Sequence, residues 1–233
     1  MATPTAFSIA APAPISTNST GSPDRPARVR TLVIETATAA CSVALFEADS
    51  VIAADHQVVG RGHAERLIPM IAALPDQGRS DRILVDCGPG SFTGVRVGLA
   101  AARGLGIGWR AQVFGFSSTA LVAAAAFADA EPISDLAVVL EGGHGEVFMQ
   151  HFTSAPLRET GALASLKPAD ALAALGDRTA VGSGVRHLSA IDPMVPVVEA
   201  LPDASRALLL PENFRSLFPA PLYGRAPDAK PMV

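Results

Sequence analysis

Cysteine is nearly absent from the chain: there are two in 233 residues, and Cys41 and Cys87 stand far apart, each inside an apolar run. No CxxC pair or Cys/His cluster surrounds either one, which excludes a disulfide framework or zinc ribbon and leaves both as reduced core residues. Long apolar runs are missing as well. The alanine-rich stretch 120–128 ends at Asp129, short of the roughly 18 to 20 apolar residues that a membrane span needs. Excess positive charge is lacking too. The formal net charge of −4 provides no global attraction to phosphate backbones or anionic lipid, so a nucleic-acid role would need a local patch or a basic partner. The first residues, MATPTAFSIAAPAPISTNSTGSPDRPAR, have no charged region followed by an apolar one and make no secretory signal. They read as a disordered extension over 1–29, with a transit peptide as the alternative, and the chain is expected to be cytoplasmic. The five histidines, His56, His63, His144, His151 and His187, include no two spaced three or four apart as helical metal ligands would be.

What is present is a chain with 49% hydrophobic and 17% charged residues, long enough for one large domain or two modest ones. TLVIE, CSVALFEA and SVIAADHQVV are β-rich runs with short connections, an antiparallel meander. In RGHAERLIPMIAAL, Leu67, Met70, Ile71 and Leu74 recur as one face of a helix, with Pro69 inside it as a predicted kink. RILVDCG predicts a buried strand, followed by a glycine turn, a helix from about Gly94 to Ile107, a strand QVFGF and a helix STALVAAAAF. The order β-β-β-α-β-α-β-α predicts one α/β unit with a mixed sheet over 30–128. The remainder, 129–233, begins with a hairpin whose turn is Gly142 to Gly145. KPADALAALG follows as a short helix, then TAVGSG as a strand, then a proline-rich tail.

Gly88 to Gly106 is the most distinctive segment. Glycines ahead of a helix let backbone N–H groups face an anion, yet GPGSFTGVR fits neither the Walker A pattern nor GxGxxG. Nor is it the GxSxG elbow, because Gly90 directly precedes Ser91 and Phe92 follows it. The bland alternative is a tight turn with close helix packing. Gly94, Gly98, Ala102 and Gly106 recur every four residues as a strip nearly free of side chains, and interior glycines cost up to about 1 kcal/mol each relative to alanine. A compensating contact is therefore expected, either inside the fold or at an interface. In IETAT, Glu35 and the hydroxyls of Thr36 and Thr38 could meet a metal-bound phosphate, or the threonines could cap a hairpin.

TLVIETATAACSVALFE, GHAERLIPMI, GPGSFTGVRVGLAAARGLG, GEVF and PLYGRAPDAK, in this order, resemble the TsaB (YeaZ) family. The likeness spans roughly 31–230 and is dense to about Phe116. It implies the two-lobed actin/Hsp70/sugar-kinase-like (ribonuclease H-like) α/β fold, with a complete first lobe and a reduced second. It also implies a non-catalytic scaffold in the machinery that places threonylcarbamoyl on N6 of adenosine 37 in tRNAs reading codons that begin with A. The partners implied are a TsaD-like catalytic paralogue, a TsaE-like ATPase, a second copy when alone, and tRNA indirectly through the complex. No cofactor is implied for this chain, ATP and metal being expected on the partner subunits. The implied partner interface comprises His63, Glu65, Leu67, Met70, Ile71 and Leu74 with Gly94, Gly98, Ala102 and Gly106. The resemblance also marks Glu35, Thr36, Gly88, Gly90, Ser91 and Thr93 as a candidate vestigial nucleotide site. Catalytic relatives hold a metal with two histidines four apart, whereas this chain has His63 and then Leu67. The hairpin, Glu141 to Phe148, lacks both arginines usual in the family, and the usual HSE is here His63, Ala64, Glu65. The rivals are an ATP-binding kinase or transferase of the same superfold, using Glu35 and the Gly88 to Thr93 loop, and a metallopeptidase-like relative.

Overall fold

The computed structural model describes residues 29–129 and 133–222; the amino-terminal extension, apart from Val29, and most of PLYGRAPDAK lie outside the described residues. The first unit follows the expected order: β1 (Arg30–Glu35), β2 (Ala40–Glu47), β3 (Ser50–Val58), α1 (His63–Ala73), β4 (Arg82–Asp86), α2 (Phe92–Trp109), β5 (Gln112–Phe116) and α3 (Ser118–Asp129). Its sheet has the order β3-β2-β1-β4-β5. Short connections make β1, β2 and β3 antiparallel, while the helical crossovers make β1, β4 and β5 parallel, since parallel neighbours need a long return path. β1 and β4 are buried on both faces, as continuous apolar runs require. α1 runs from His63 to Ala73 as one helix with Pro69 in its interior.

The second sheet has the order β11-β10-β6-β7-β8, with β9 also on β7. It is built from the expected hairpin β6 (Asp135–Glu141) and β7 (Val147–Thr153), then β8 (Arg158–Glu159), β9 (Ala164–Leu166), α4 (Pro168–Leu175), β10 (Ala180–Val181), α5 (Val185–Ser189) and β11 (Val197–Val198). Three apolar cores separate the layers. α1 and α2 cover one face of the first sheet against Leu32, Ile34, Val43 and Val85. α3 fills the space between the two sheets, where Leu121 lies in one core with Val33, Phe46 and Leu84 from the first and Leu136, Leu140 and Phe152 from the second. α4 and α5 back the second sheet. The result is the two-lobed actin-like arrangement. Residues from 203 onward, grouped in sequence with the second lobe, return to the first. The 3-10 turn Ala204–Leu209 packs on β1 and β2, and Leu217 exchanges both backbone hydrogen bonds with Gly115 of β5. Arg82 donates to Glu212 and to the Arg215 carbonyl, and the Leu222 N–H donates to the Cys87 carbonyl. This return covers the open edge of β5, a row of backbone groups that would otherwise pair elsewhere.

The small-residue strip of α2 requires a correction. Gly94, Gly98, Ala102 and Gly106 are all buried within the chain, so they are not available to a partner. A Cβ at Gly94 would overlap the Thr36 carbonyl, one at Gly98 would lie 2.5 Å from Thr36 Oγ1, and one at Gly106 would lie 2.6 Å from Val113. The compensation expected for these glycines is thus spent inside the fold, where the helix backbone lies against the β1–β2 turn and β5. The same holds for α1: Leu67, Met70, Ile71 and Leu74 face their own sheet. His63 is buried with Nε2 3.0 Å from the Ala40 carbonyl. Of the ten interface positions expected from sequence, Glu65 alone is exposed.

A second strip, Ala100, Gly104 and Gly108, lies on the opposite side of α2. All three are exposed, and a Cβ at either glycine would meet nothing within 4 Å. The two strips therefore respond oppositely to the same change. Gly98→Ala is expected to destabilise by about 1 to 3 kcal/mol through overpacking, whereas Gly104→Ala gains up to about 1 kcal/mol of helix propensity; urea titration of the two variants measures both signs.

Candidate functional site

β1 and β4 each end in a carboxylate, and parallel pairing with Ile34 beside Val85 sets Glu35 next to Asp86 at the end of the sheet. Across β2 and β3 the same row continues through Ser42 and His56. Both carboxyls are buried, Glu35 completely. Oε1 of Glu35 accepts from the N–H groups of Ala37 (2.7 Å) and Thr38 (3.3 Å), and Oε2 is buried with no hydrogen-bond partner. Asp86 Oδ1 accepts from the Gly88 N–H at 2.6 Å, and the Ser118 hydroxyl lies 2.8 Å from both of its oxygens. Asp203 arrives above the row from the returning segment. Ser42 Oγ donates to it at 3.4 Å and accepts from the Ala204 N–H at 3.0 Å, with His56 Nδ1 3.9 Å from the other Asp203 oxygen. Burial, then the neighbouring Asp86 charge, holds the Glu35 carboxyl well above the ordinary carboxylate range. Burial raises Asp86 to about 7 against the opposing hydrogen bonds from Gly88 and Ser118.

The glycine loop is clamped onto this row. Gly88 has φ +92, a backbone geometry open to glycine at little cost, and its N–H is already used by Asp86. Gly90 sits so close to Ala37 that a Cβ would overlap the Ala37 carbonyl. That carbonyl accepts the Ser91 N–H at 2.6 Å. Ser91 is the N-cap of α2, accepting from the Gly94 N–H at 3.2 Å, a device worth about 1 kcal/mol. Thr36 donates to the Gly94 carbonyl at 2.8 Å. Thr38 accepts from the Ala40 N–H and is the hairpin cap. Thr93 lies exposed in the first turn of α2. The structure thus gathers Glu35, Thr36, Gly88, Gly90 and Ser91 into one clasp, with the N–H groups of Gly88, Ser91 and Gly94 engaged within the chain. Among the described residues no three His, Cys, Asp or Glu side chains converge as a metal site would require. Both cysteines are buried, which pushes Cys41 up to about 11 and Cys87 up to about 12 and keeps them as unreactive thiols.

The outward faces of α1 and α2 carry part of the exposed apolar surface. Ile68 is 51% exposed, Phe92 68% and Ile107 82%, and the open strip Ala100, Gly104 and Gly108 lies beside the last two. Sequence reasoning missed these residues, along with Asp86, Ser118 and Asp203. The signal for the outer strip was a second four-residue spacing two positions out of phase with the first. For Asp86 it was the parallel reading of TLVIE and RILVD, apolar runs that each end in an acid.

Because the folded state holds protons on Glu35 and Asp86 that the unfolded chain releases near pH 4, the folded state binds more protons between about pH 4 and about pH 7. Stability therefore falls as pH rises through that window. Glu35→Gln retains an acceptor for Ala37 and Thr38, and it is expected to flatten this slope and to raise stability at pH 8 relative to wild type. Urea denaturation from pH 5 to pH 8 reads both, and an unchanged slope would show that the pair stays ionised.

A family model described as TsaD, tRNA N6-adenosine threonylcarbamoyltransferase, matches residues 52–176. An uncharacterised protein of Mycobacterium tuberculosis is 31% identical over 216 residues, covering 87% of this chain and 94% of the relative. The Escherichia coli tRNA threonylcarbamoyladenosine biosynthesis protein TsaB is 35% identical over 129 residues, 53% of this chain and 55% of that protein. The crystal structure of YeaZ from Pseudomonas aeruginosa superposes with a TM-score of 0.69 at 26% identity, covering 84% of this chain and 99% of that one. The transferase of Corynebacterium diphtheriae, by contrast, is matched over only 31% of its length. With a fold that covers 99% of YeaZ and a relative 31% identical over 87% of the chain, the chain belongs to the TsaB (YeaZ) family.

Proposed function

We propose that the protein works in the biosynthesis of N6-threonylcarbamoyladenosine at position 37 of tRNAs reading codons that begin with A. Its role is that of a non-catalytic scaffold: it docks a TsaD-like catalytic paralogue and holds it in a competent state, with a TsaE-like ATPase joining the pair and tRNA reached through the complex. ATP and metal are assigned to those partners, not to this chain. The observation that carries this reading is the outer face of α1 and α2, where Ile68, Phe92 and Ile107 stand exposed beside Ala100, Gly104 and Gly108. Large apolar side chains flanking a small-residue strip suit close approach of another helix, and they are costly to leave in water. The clasp supports the same reading, since the N–H groups of Gly88, Ser91 and Gly94 are engaged within the chain.

Co-expression of the full chain with its paralogue tests this. The pair is expected to co-purify, and Gly104→Trp combined with Ile107→Asp is expected to weaken the complex at least tenfold while circular dichroism and melting show a folded chain. Undiminished binding by that variant would place the interface elsewhere. Calorimetry of the isolated chain with ATP and magnesium is expected to give no micromolar binding; binding with turnover would establish the enzyme reading instead.

A further inference from the structure

The carboxy-terminal return changes character at Leu210. Ala204, Ala207 and Leu210 are sealed in the core between the sheets, whereas from Pro211 to Leu222 not one residue is buried, and Phe218 is 82% exposed. Polar contacts hold this stretch instead. Leu217 exchanges two backbone hydrogen bonds with Gly115, at 2.7 and 3.0 Å, and the Leu222 N–H reaches the Cys87 carbonyl at 2.8 Å. Arg82 donates to Glu212 at 2.8 Å and to the Arg215 carbonyl at 3.1 Å, and Arg103 donates to the Pro219 carbonyl at 2.7 Å. Beneath it lies the Cys87 thiol, with Sγ 4.0 Å from the Phe218 carbonyl oxygen. A Cβ on Gly115 would overlap that sulfur and lie 3.2 Å from the same carbonyl oxygen, so glycine lets the stretch and the thiol sit on either side of β5.

We propose that residues 211–222 are a detachable strap: they lift off the first lobe as one unit from a hinge at Leu210–Pro211, baring the outer edge of β5 and the Cys87 thiol while both lobes stay folded. The inference is independent of the proposed function. Hydrogen bonds and exposed ion pairs that water replaces add little net stability each. Moving 204–210, in contrast, would expose apolar core, and that cost fixes the hinge on the far side of Leu210. A segment with no buried side chains and solvent-facing hydrogen bonds opens at a fraction of the global unfolding free energy. Its opening has two consequences. The Gly115 N–H and C=O become an unpaired strand edge, able to accept another extended chain. The Cys87 thiol, pushed up to about 12 by burial, returns to water and regains ordinary reactivity. Cys41 supplies an internal comparison. It is as fully buried as Cys87, but it sits on β2, with β1 and β4 between it and β5.

The test treats the full-length chain with iodoacetamide in native buffer and follows the alkylation of each cysteine by mass spectrometry of its peptide. Cys87 is expected to react at least about tenfold faster than Cys41. Low urea should leave the Cys87 rate nearly unchanged and raise the Cys41 rate steeply, because urea sensitivity scales with the surface an opening exposes. Hydrogen exchange reads the same event without a thiol: the amides of Gly115, Leu217 and Leu222 are expected to exchange together, within about threefold of one another. Leu217→Pro removes the donor to Gly115, and it is expected to speed Cys87 alkylation at least about fivefold. Glu212→Gln weakens the hold of Arg82, and it is expected to speed it about twofold. Neither variant should alter the Cys41 rate, which reports whether each still folds. Equal rates at the two cysteines in wild type would overturn the proposal, since both would then open only with the whole chain. Three amides exchanging at widely different rates would overturn it as well, by showing an end that frays residue by residue. So would a fast Cys87 that neither variant accelerates, because the reagent would then enter by another route.

Discussion

The first lobe depends on one close approach, that of the α2 backbone to the turn between β1 and β2. Thr36 reaches the Gly94 carbonyl, the Ala37 carbonyl takes the Ser91 N–H, and Gly90, Gly94 and Gly98 leave no room for a side chain between them. Each glycine costs helix stability when taken alone. Together they allow backbone and side-chain groups of β1 and α2 to satisfy one another where a larger residue would force them apart. This contact sets the height of α2 over the sheet, and α1 packs beside α2.

A second constraint sits at the same end of the sheet, on its other face. Glu35 and Asp86 are neighbours because β1 and β4 pair in parallel, and both are buried because α3 and the returning carboxy-terminal segment close over them. Asp86 links the end of β4 to the loop through Gly88 and to α3 through Ser118. Asp203 joins the returning segment to β2 through Ser42. The carboxyls buried at this end of the sheet therefore organise the chain's own turns, and their pH response follows from shared burial.

The outward face of α2 is what remains once these demands are met. The inward side of α2 is consumed by glycines, so exposure of Phe92, Ile107 and the arginines follows from helix geometry. Residues 98, 102 and 106 can face the sheet only if 100, 104 and 107 face away.

The sequence by itself determined the order of elements in the first lobe, the hairpin and short helix of the second, the buried thiols and the family. Periodicity, glycine punctuation and ordered motifs are local or linear properties and survive without coordinates. It also determined that α2 must meet something closely, because its glycines recur at helical spacing. Only the tertiary structure decided which of its two small-residue strips is spent within the fold. Spacing defines a face but not its direction, and that direction was decided by the Thr36–Ala37 turn, 58 residues away in sequence from its partner at Gly94. The same non-local pairing brought Glu35 to Asp86 and carried residues 203–222 back to the first sheet. No local pattern in the chain records such pairings, because the contacts that create them exist only after folding.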